Sequence, residues 1–208
     1  MLYFRKLLYL SIIFIAALQA RATKYDEDFL KNYLKSLKSV VIEFDQVLGG
    51  DDAEGVLLVD KPNYFRCSYF KGSPLLITGN SSFISVYDYD LDELTNIDRN
   101  NNIFKFVILD NKQVDKIRIN KINDYNDSIE FASEDDERNE FLITLSKNPI
   151  KLQRISSYDI NGQELTINFK DIRKAKFGNK TLFSIKNPKL FGPPKKLKEE
   201  ELKNFYLR

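Results

Sequence analysis

The chain has 208 residues, with no His, no Trp, one Cys and one Met, and its 32 Lys and Arg face 30 Asp and Glu for a formal charge of +2. Without His there is no Ser-His-Asp or Cys-His catalysis and no His-ligated metal, and a single Cys excludes an intrachain disulfide or a Cys-rich zinc site. Balanced charge argues against a nucleic-acid binder, 43% hydrophobic and 13% aromatic residues argue against disorder, and the length suits one domain with a substantial core.

Residues 1–22 read as a cleaved secretory signal peptide. Arg5 and Lys6 form the positive start, Leu7 to Leu18 is apolar apart from Ser11, and Ala20-Arg21-Ala22 fits the small-x-small cleavage pattern. The apolar run is shorter than the roughly 20 residues that a spanning helix needs. Three basic residues and no acid fall in this leader, so residues 23–208 carry a formal charge of −1. Cys67 lies far from the cleavage site and no Leu-x-x-Cys lipobox is present, so the exported chain is expected to be unlipidated. Residues 23–208 are expected to form one domain, with 193–208 as a peripheral tail.

Asp26 to Lys38 is predicted to be an amphipathic helix, because Phe29, Leu30, Tyr33, Leu34 and Leu37 recur at helical spacing behind an acidic first turn. Short strands follow at Val40–Leu48, Gly55–Lys61, Tyr64–Phe70, Leu75–Thr78, Phe83–Tyr87 and Asp92–Thr95. Pro62 is expected at a turn or edge. Ile103 to Leu109 reads as a short helix or a strand. The β pattern resumes at Lys116–Ile122, Ser128–Ala132, Glu140–Leu145, Lys151–Tyr158, Glu164–Asp171 and Leu182–Lys186, with Asn- and Gly-rich breaks between. The tail carries a basic run followed by Glu199-Glu200-Glu201. One early helix followed by about ten strands predicts an antiparallel sandwich, barrel or half-barrel. A curved sheet with one helix leaves an apolar face that needs a lid, a partner or a ligand.

The acidic clusters Asp51-Asp52, Asp88–Asp92 and Glu134–Glu137 fall in predicted turns, and no phosphate loop, Ca²⁺-loop spacing or dinucleotide fingerprint is present. The expectation is therefore no catalytic set, no metal and no cofactor. Apolar alternation is the stronger signal. Ile42 and Phe44, then Leu57, Val59 and Lys61, then Phe65, Cys67 and Tyr69, each share one face of a strand. Such faces line either a closed core or a cavity.

Gly55-x-Leu57-x-Val59-x-Lys61-Pro62-Asn63-x-Phe65-Arg66 resembles the signature of the periplasmic outer-membrane lipoprotein carrier family, LolA. Phe44-x-Gln46, Leu75–Asn80, Tyr87-Asp88, Leu91–Thr95, Asp159-x-Asn161-Gly162-Gln163 with Thr166-x-x-Phe169, and Leu182-Phe183 before Asn187-Pro188 are similar to further family stretches in the same order. The resemblance spans roughly Tyr25 to Pro188. Lys61 stands where many members carry Arg, which replaces a planar fork by a point charge, and Cys67 stands where Trp is common.

The resemblance implies a mainly β (α+β) fold, a curved antiparallel sheet forming an unclosed half-barrel, covered by the N-terminal helix and short lid helices. It implies a lipid cavity lined by Phe44, Leu57, Val59, Phe65, Tyr69, Ile77 and Val86, with Lys61 latching the lid. It implies a monomeric, non-enzymatic periplasmic chaperone of a Gram-negative bacterium that moves lipoproteins from the inner to the outer membrane. Its partners would be lipoprotein acyl chains, an inner-membrane ATP-driven lipoprotein-releasing transporter and an outer-membrane acceptor, with no nucleic acid. Burying a methylene is worth about 0.8 kcal/mol, so three acyl chains hold roughly 30 kcal/mol against water. Two other functions fit the same residues less well: a lipid-binding sensor or regulatory module on this scaffold, and an exported carboxylate-dependent hydrolase.

Overall fold

The computed structural model describes residues 24–80, 83–97, 108–134, 140–158 and 164–203. The leader, the Asn100–Asn102 break, most of the Ile103–Leu109 segment, Asp135–Glu137 and the Asn161-Gly162 turn lie outside them.

Helix α1 spans Glu27–Ser36. Asp26 is its N-cap and accepts from the Phe29 N–H at 2.8 Å, while Glu27 and Asp28 complement the positive end of the helix. The helix stops short of the expected Lys38 because the chain is already being drawn into the sheet: the Lys38 carbonyl accepts from Lys61 N–H at 2.7 Å.

Eleven strands form one sheet in the order β6-β5-β4-β3-β2-β1-β11-β10-β9-β8-β7. They are β1 Ser39–Leu48, β2 Asp51–Asp60, β3 Tyr64–Lys71, β4 Leu75–Gly79, β5 Ile84–Asp88, β6 Glu93–Ile97, β7 Ile119–Asp124, β8 Ser128–Glu134, β9 Glu140–Lys147, β10 Ile150–Tyr158 and β11 Glu164–Lys174. Among the described residues every pairing is antiparallel, and only β1 with β11 joins strands that are not consecutive. The chain walks outward from β1 to one edge, then returns from the other edge to close against β1. Edges β6 and β7 do not pair, so the sheet is an open half-barrel rather than a barrel.

Three local expectations are corrected. Asp51 and Asp52 are not turn residues: Gly49 (φ 60°) and Gly50 (φ 98°) supply the left-handed turn alone, and both acids pair in β2 opposite Leu48 and Val47. Lys116 does not open a strand. Residues Asn111–Asp115 form helix α2, and β7 begins at Ile119. Asp110 accepts from the Gln113 N–H at 2.8 Å and Gln113 Oε1 accepts from the Asp110 N–H at 3.1 Å, a capping box that starts the helix. Leu182–Lys186 is not a strand either. β1 is already flanked by β2 and β11, so the chain leaving β11 finds no edge there and crosses the sheet, with a 3-10 turn at Lys180–Phe183.

Strand alternation sends side chains to two different environments. The inner face and α1 form one continuous apolar core, extending from Ile84 on one arm to Ile129 and Phe131 on the other. The outer face carries a smaller cluster, Val41, Val56 and Leu58, covered by Ala175 and Phe183 of the C-terminal segment. That segment includes the short helices α3 (Pro188–Phe191) and α4 (Glu199–Lys203).

Candidate functional site

The register assembles the inner face row by row. Ile42 pairs with Leu57, Leu57 with Cys67, Cys67 with Ile77 and Ile77 with Val86, so one apolar line crosses β1 to β5. On the other arm, Ile122, Phe131, Ile143, Ile155 and Ile167 form the matching line across β7 to β11.

The structure brings the seven predicted cavity residues into this one core. Phe44, Leu57, Val59, Phe65 and Tyr69 are buried, and Ile77 and Val86 are half-buried against them. Two glycines make room for the rings. A Cβ at Gly79 would sit 2.0 Å from the Phe65 ring, and one at Gly55 would sit 2.8 Å from Phe44. Phe44 and Tyr69 then meet edge to face, with centroids 5.6 Å apart. The Tyr69 hydroxyl, the polar end of this pair, donates to Gln46 Oε1 at 2.8 Å. Burial pushes the Tyr69 phenol far above its ordinary value and the Cys67 thiol up to about 12, so Cys67 is a wall and not a nucleophile.

Helix α1 closes the interior by inserting Leu30, Leu34 and Leu37. Phe29 and Tyr33 pack against the edge of this stripe, and the polar attachments of the helix lie around it. Tyr33 Oη accepts from the Leu152 N–H at 2.7 Å, beside the register shift at Leu152/Arg154. Lys31 Nζ donates to the Asp115 carbonyl at 2.9 Å, Lys35 pairs with the Asp115 carboxylate, and the Ile119 N–H donates to Glu27 at 3.2 Å. The two lysine bonds join α1 to α2, whose Val114 is itself buried in the core, and the Glu27 bond joins α1 to the start of β7.

Lys61 stands where the two covering helices converge. Its Nζ donates to the Leu34 carbonyl at 2.8 Å, near the end of α1, and the charge of Asp110, the N-cap of α2, acts on it. Burial lowers its pKa to about 8, and Asp110 only partly opposes this. The bond is single and leads to a carbonyl, as expected of a point-charge donor.

Sequence reasoning passed over half of this interior. No residue of β8 to β11 was assigned to it, although Ile129-x-Phe131 and Phe141-x-Ile143-x-Leu145 alternate as clearly as the β2 and β3 residues. Helix α2 was missed outright, and the signal for it was Asp110-x-x-Gln113.

The fold is an open antiparallel half-barrel whose apolar inner face is capped by helices. A family model described as outer membrane lipoprotein carrier protein LolA matches residues 35–186. The chain belongs to that family. Rickettsia prowazekii (strain Madrid E) has a similar protein, the uncharacterized protein RP864, 34% identical over 212 residues and covered to 98% in both chains. Among solved structures, an uncharacterized conserved protein from Thermus thermophilus aligns with a TM-score of 0.51 at 6% identity, over 75% of this chain and 91% of that one. The LolA superfamily protein NE2245 from Nitrosomonas europaea aligns with a TM-score of 0.45 at 7% identity, over 77% and 98%.

Proposed function

We propose that the protein is a periplasmic carrier that receives lipoprotein acyl chains on the inner face of the half-barrel and moves them from the inner to the outer membrane. The observation that carries this reading is the interior itself: apolar rows from both arms of the sheet share one core with the apolar stripe of α1, and a few bonds hold the helix at its rim. Exchanging Leu30, Leu34 and Leu37 for acyl methylenes replaces one apolar contact by another. The cost of opening then lies in the rim, in one half-exposed ion pair worth about 0–1 kcal/mol and four hydrogen bonds worth about 0.5–1.5 kcal/mol each.

The energetics suit a carrier. A methylene gains about 0.8 kcal/mol on leaving water, so cargo does not escape into solution. Transfer from a bilayer to an apolar interior is nearly neutral by comparison. Such a protein needs no energy source of its own, and loading falls to an ATP-driven inner-membrane transporter, with delivery to an outer-membrane acceptor. In this reading the leader is cleaved on export, the protein acts as a non-enzymatic monomer, and Lys61 latches α1 against α2. The test is release. Purified protein is added to spheroplasts that retain a tagged lipoprotein. The tagged lipoprotein is expected in the soluble fraction, and its absence there would sink the reading.

A further inference from the structure

One segment of the protein carries cations without acids. Between Ile172 and Lys198 lie eight Lys and one Arg and no Asp or Glu, although residues 23–208 as a whole are nearly neutral. This stretch is the end of β11 and the segment that follows it across the outer face. Phe183 anchors it in the outer cluster, Lys180 pairs with Asp60 of β2, and Arg66 of β3 ties it down twice.

A cleft of about 540 Å³ opens among the folds of this segment and the sheet. Its charged lining is Arg66, Lys176, Lys186 and Lys195, with no acid, and its apolar walls include Phe177 and Leu182. Lys195 also pairs with Glu201 at 2.7 Å. Arg66 is 6% exposed. Its guanidinium donates to Ser68 Oγ at 3.0 Å, the Leu182 carbonyl at 3.2 Å and the Lys195 carbonyl at 3.4 Å, all neutral acceptors, and it has no ion pair among the described residues. A buried guanidinium usually faces an anion, and two of its five donors remain for one.

Next to the cleft, α3 projects two apolar side chains into water, Leu190 at 75% and Phe191 at 67% exposure. Lys186 lies 5.3 Å over the Phe191 ring, and Lys189, Lys195, Lys196 and Lys198 surround the tip in sequence. An apolar tip flanked by lysines, with Lys186 at the Phe191 ring, Lys195 in the cleft and Lys196 5.3 Å over Tyr89, is the layout of an interfacial membrane anchor. Two protruding side chains offer too little packed area for a stable protein interface, which buries roughly 800 Å² per partner.

We propose that the outer face docks on an anionic phospholipid surface, with Leu190 and Phe191 entering the headgroup layer while the Arg66 cleft and its lysines hold lipid phosphates. The sheet separates this surface from α1, so the inner face stays free to open while the protein is docked.

The chain contains no Trp, so Phe191→Trp places a sole reporter at the tip, where its exposure keeps the fold intact. With vesicles containing phosphatidylglycerol, its emission is expected to shift to the blue and to be quenched by brominated lipid. Binding is expected to weaken at least about tenfold in pure phosphatidylcholine, at high salt, and after joint replacement of Lys186, Lys189, Lys195 and Lys196 by Gln. The reporter reads its own surroundings, so binding through the leader does not imitate the result. Unchanged emission with both vesicle types overturns the proposal. So does a shift with polyglutamate but not with vesicles, which would mark an acidic protein partner. Thermal stabilisation by inorganic phosphate without any vesicle response overturns it too, in favour of a free-phosphate site.

Discussion

The two faces of the same strands are covered in different ways. On β2, Leu57 and Val59 point into the inner core, while Val56, Leu58 and Asp60 belong to the outer face. The inner core is apolar almost throughout. The outer face mixes a small apolar cluster with buried polar groups, among them Arg66, Ser68, Thr78 and Ser85. Its cover is held by directed bonds from Arg66 and by the Lys180–Asp60 pair. Directed buried bonds specify one partner, because leaving them unmade is costly. A uniform apolar face accepts any apolar cover of suitable shape. The inner lid also has directed bonds, at Tyr33, Lys61 and Glu27, but its packing stripe is apolar throughout, and that stripe is what the proposed carriage of acyl chains would use.

The largest expected effect comes from a charge placed on each face in turn. Leu57 is 0% exposed, so Leu57→Glu buries an unpaired carboxylate at a cost of several kcal/mol, against a total stability of about 5–15 kcal/mol. It is expected to abolish cooperative melting, whereas Leu190→Glu leaves the melting temperature unchanged. Thermal denaturation of the pair breaks the comparison if both behave alike.

Phe183→Ala should cost about 3–5 kcal/mol, because Phe183 is buried against Tyr64 and Phe177, with ring centroids 5.8 and 5.3 Å away. Limited proteolysis should then cut between residues 176 and 198 while uptake of an acylated peptide persists. Loss of uptake would show that the two covers are coupled.

Lys61 gives the inner lid a pH dependence. The closed fold disfavours its charged form, so below pH 8 the closed state bears a penalty that opening relieves. The closed state gains as pH rises from about 8 toward the ordinary lysine value of 10.5, by up to about 3 kcal/mol. Hydrogen exchange in α1, corrected for intrinsic rates, should slow over that interval, and Lys61→Met should remove the slope. The smallest effect is expected from Asp115→Asn, about 0.5 kcal/mol, since Asp115 is largely exposed and Lys31 keeps its bond to the carbonyl. Exchange in α1 should quicken only slightly.

Much of the inner face was legible from period-2 alternation. Leu57-x-Val59 and Phe65-x-Cys67-x-Tyr69 point to one side in the sequence and do so in the structure. One early helix and many short strands made an antiparallel sandwich, barrel or half-barrel legible, and the choice of the open half-barrel came with the resemblance of the Gly55–Arg66 stretch to the LolA signature. The β1–β11 closure was not, because pairing between the first and last strands leaves no local trace. It also decides why Leu182–Lys186 is a strap and not a strand. That Leu57 is fully buried in one core with α1, and not lining an open cavity, is tertiary information. The overall charge concealed the outer face: a sum near zero hid a segment with nine cations and no acid.

The central claim is that acyl chains enter the inner face. A lipopeptide carrying a diazirine in its acyl chain, activated by light after binding and mapped by mass spectrometry, tests it directly. Adducts are expected on inner-face residues from both arms, such as Leu57, Phe65, Phe131 and Ile143. Adducts confined to the outer strap, residues 186–198, would contradict the account.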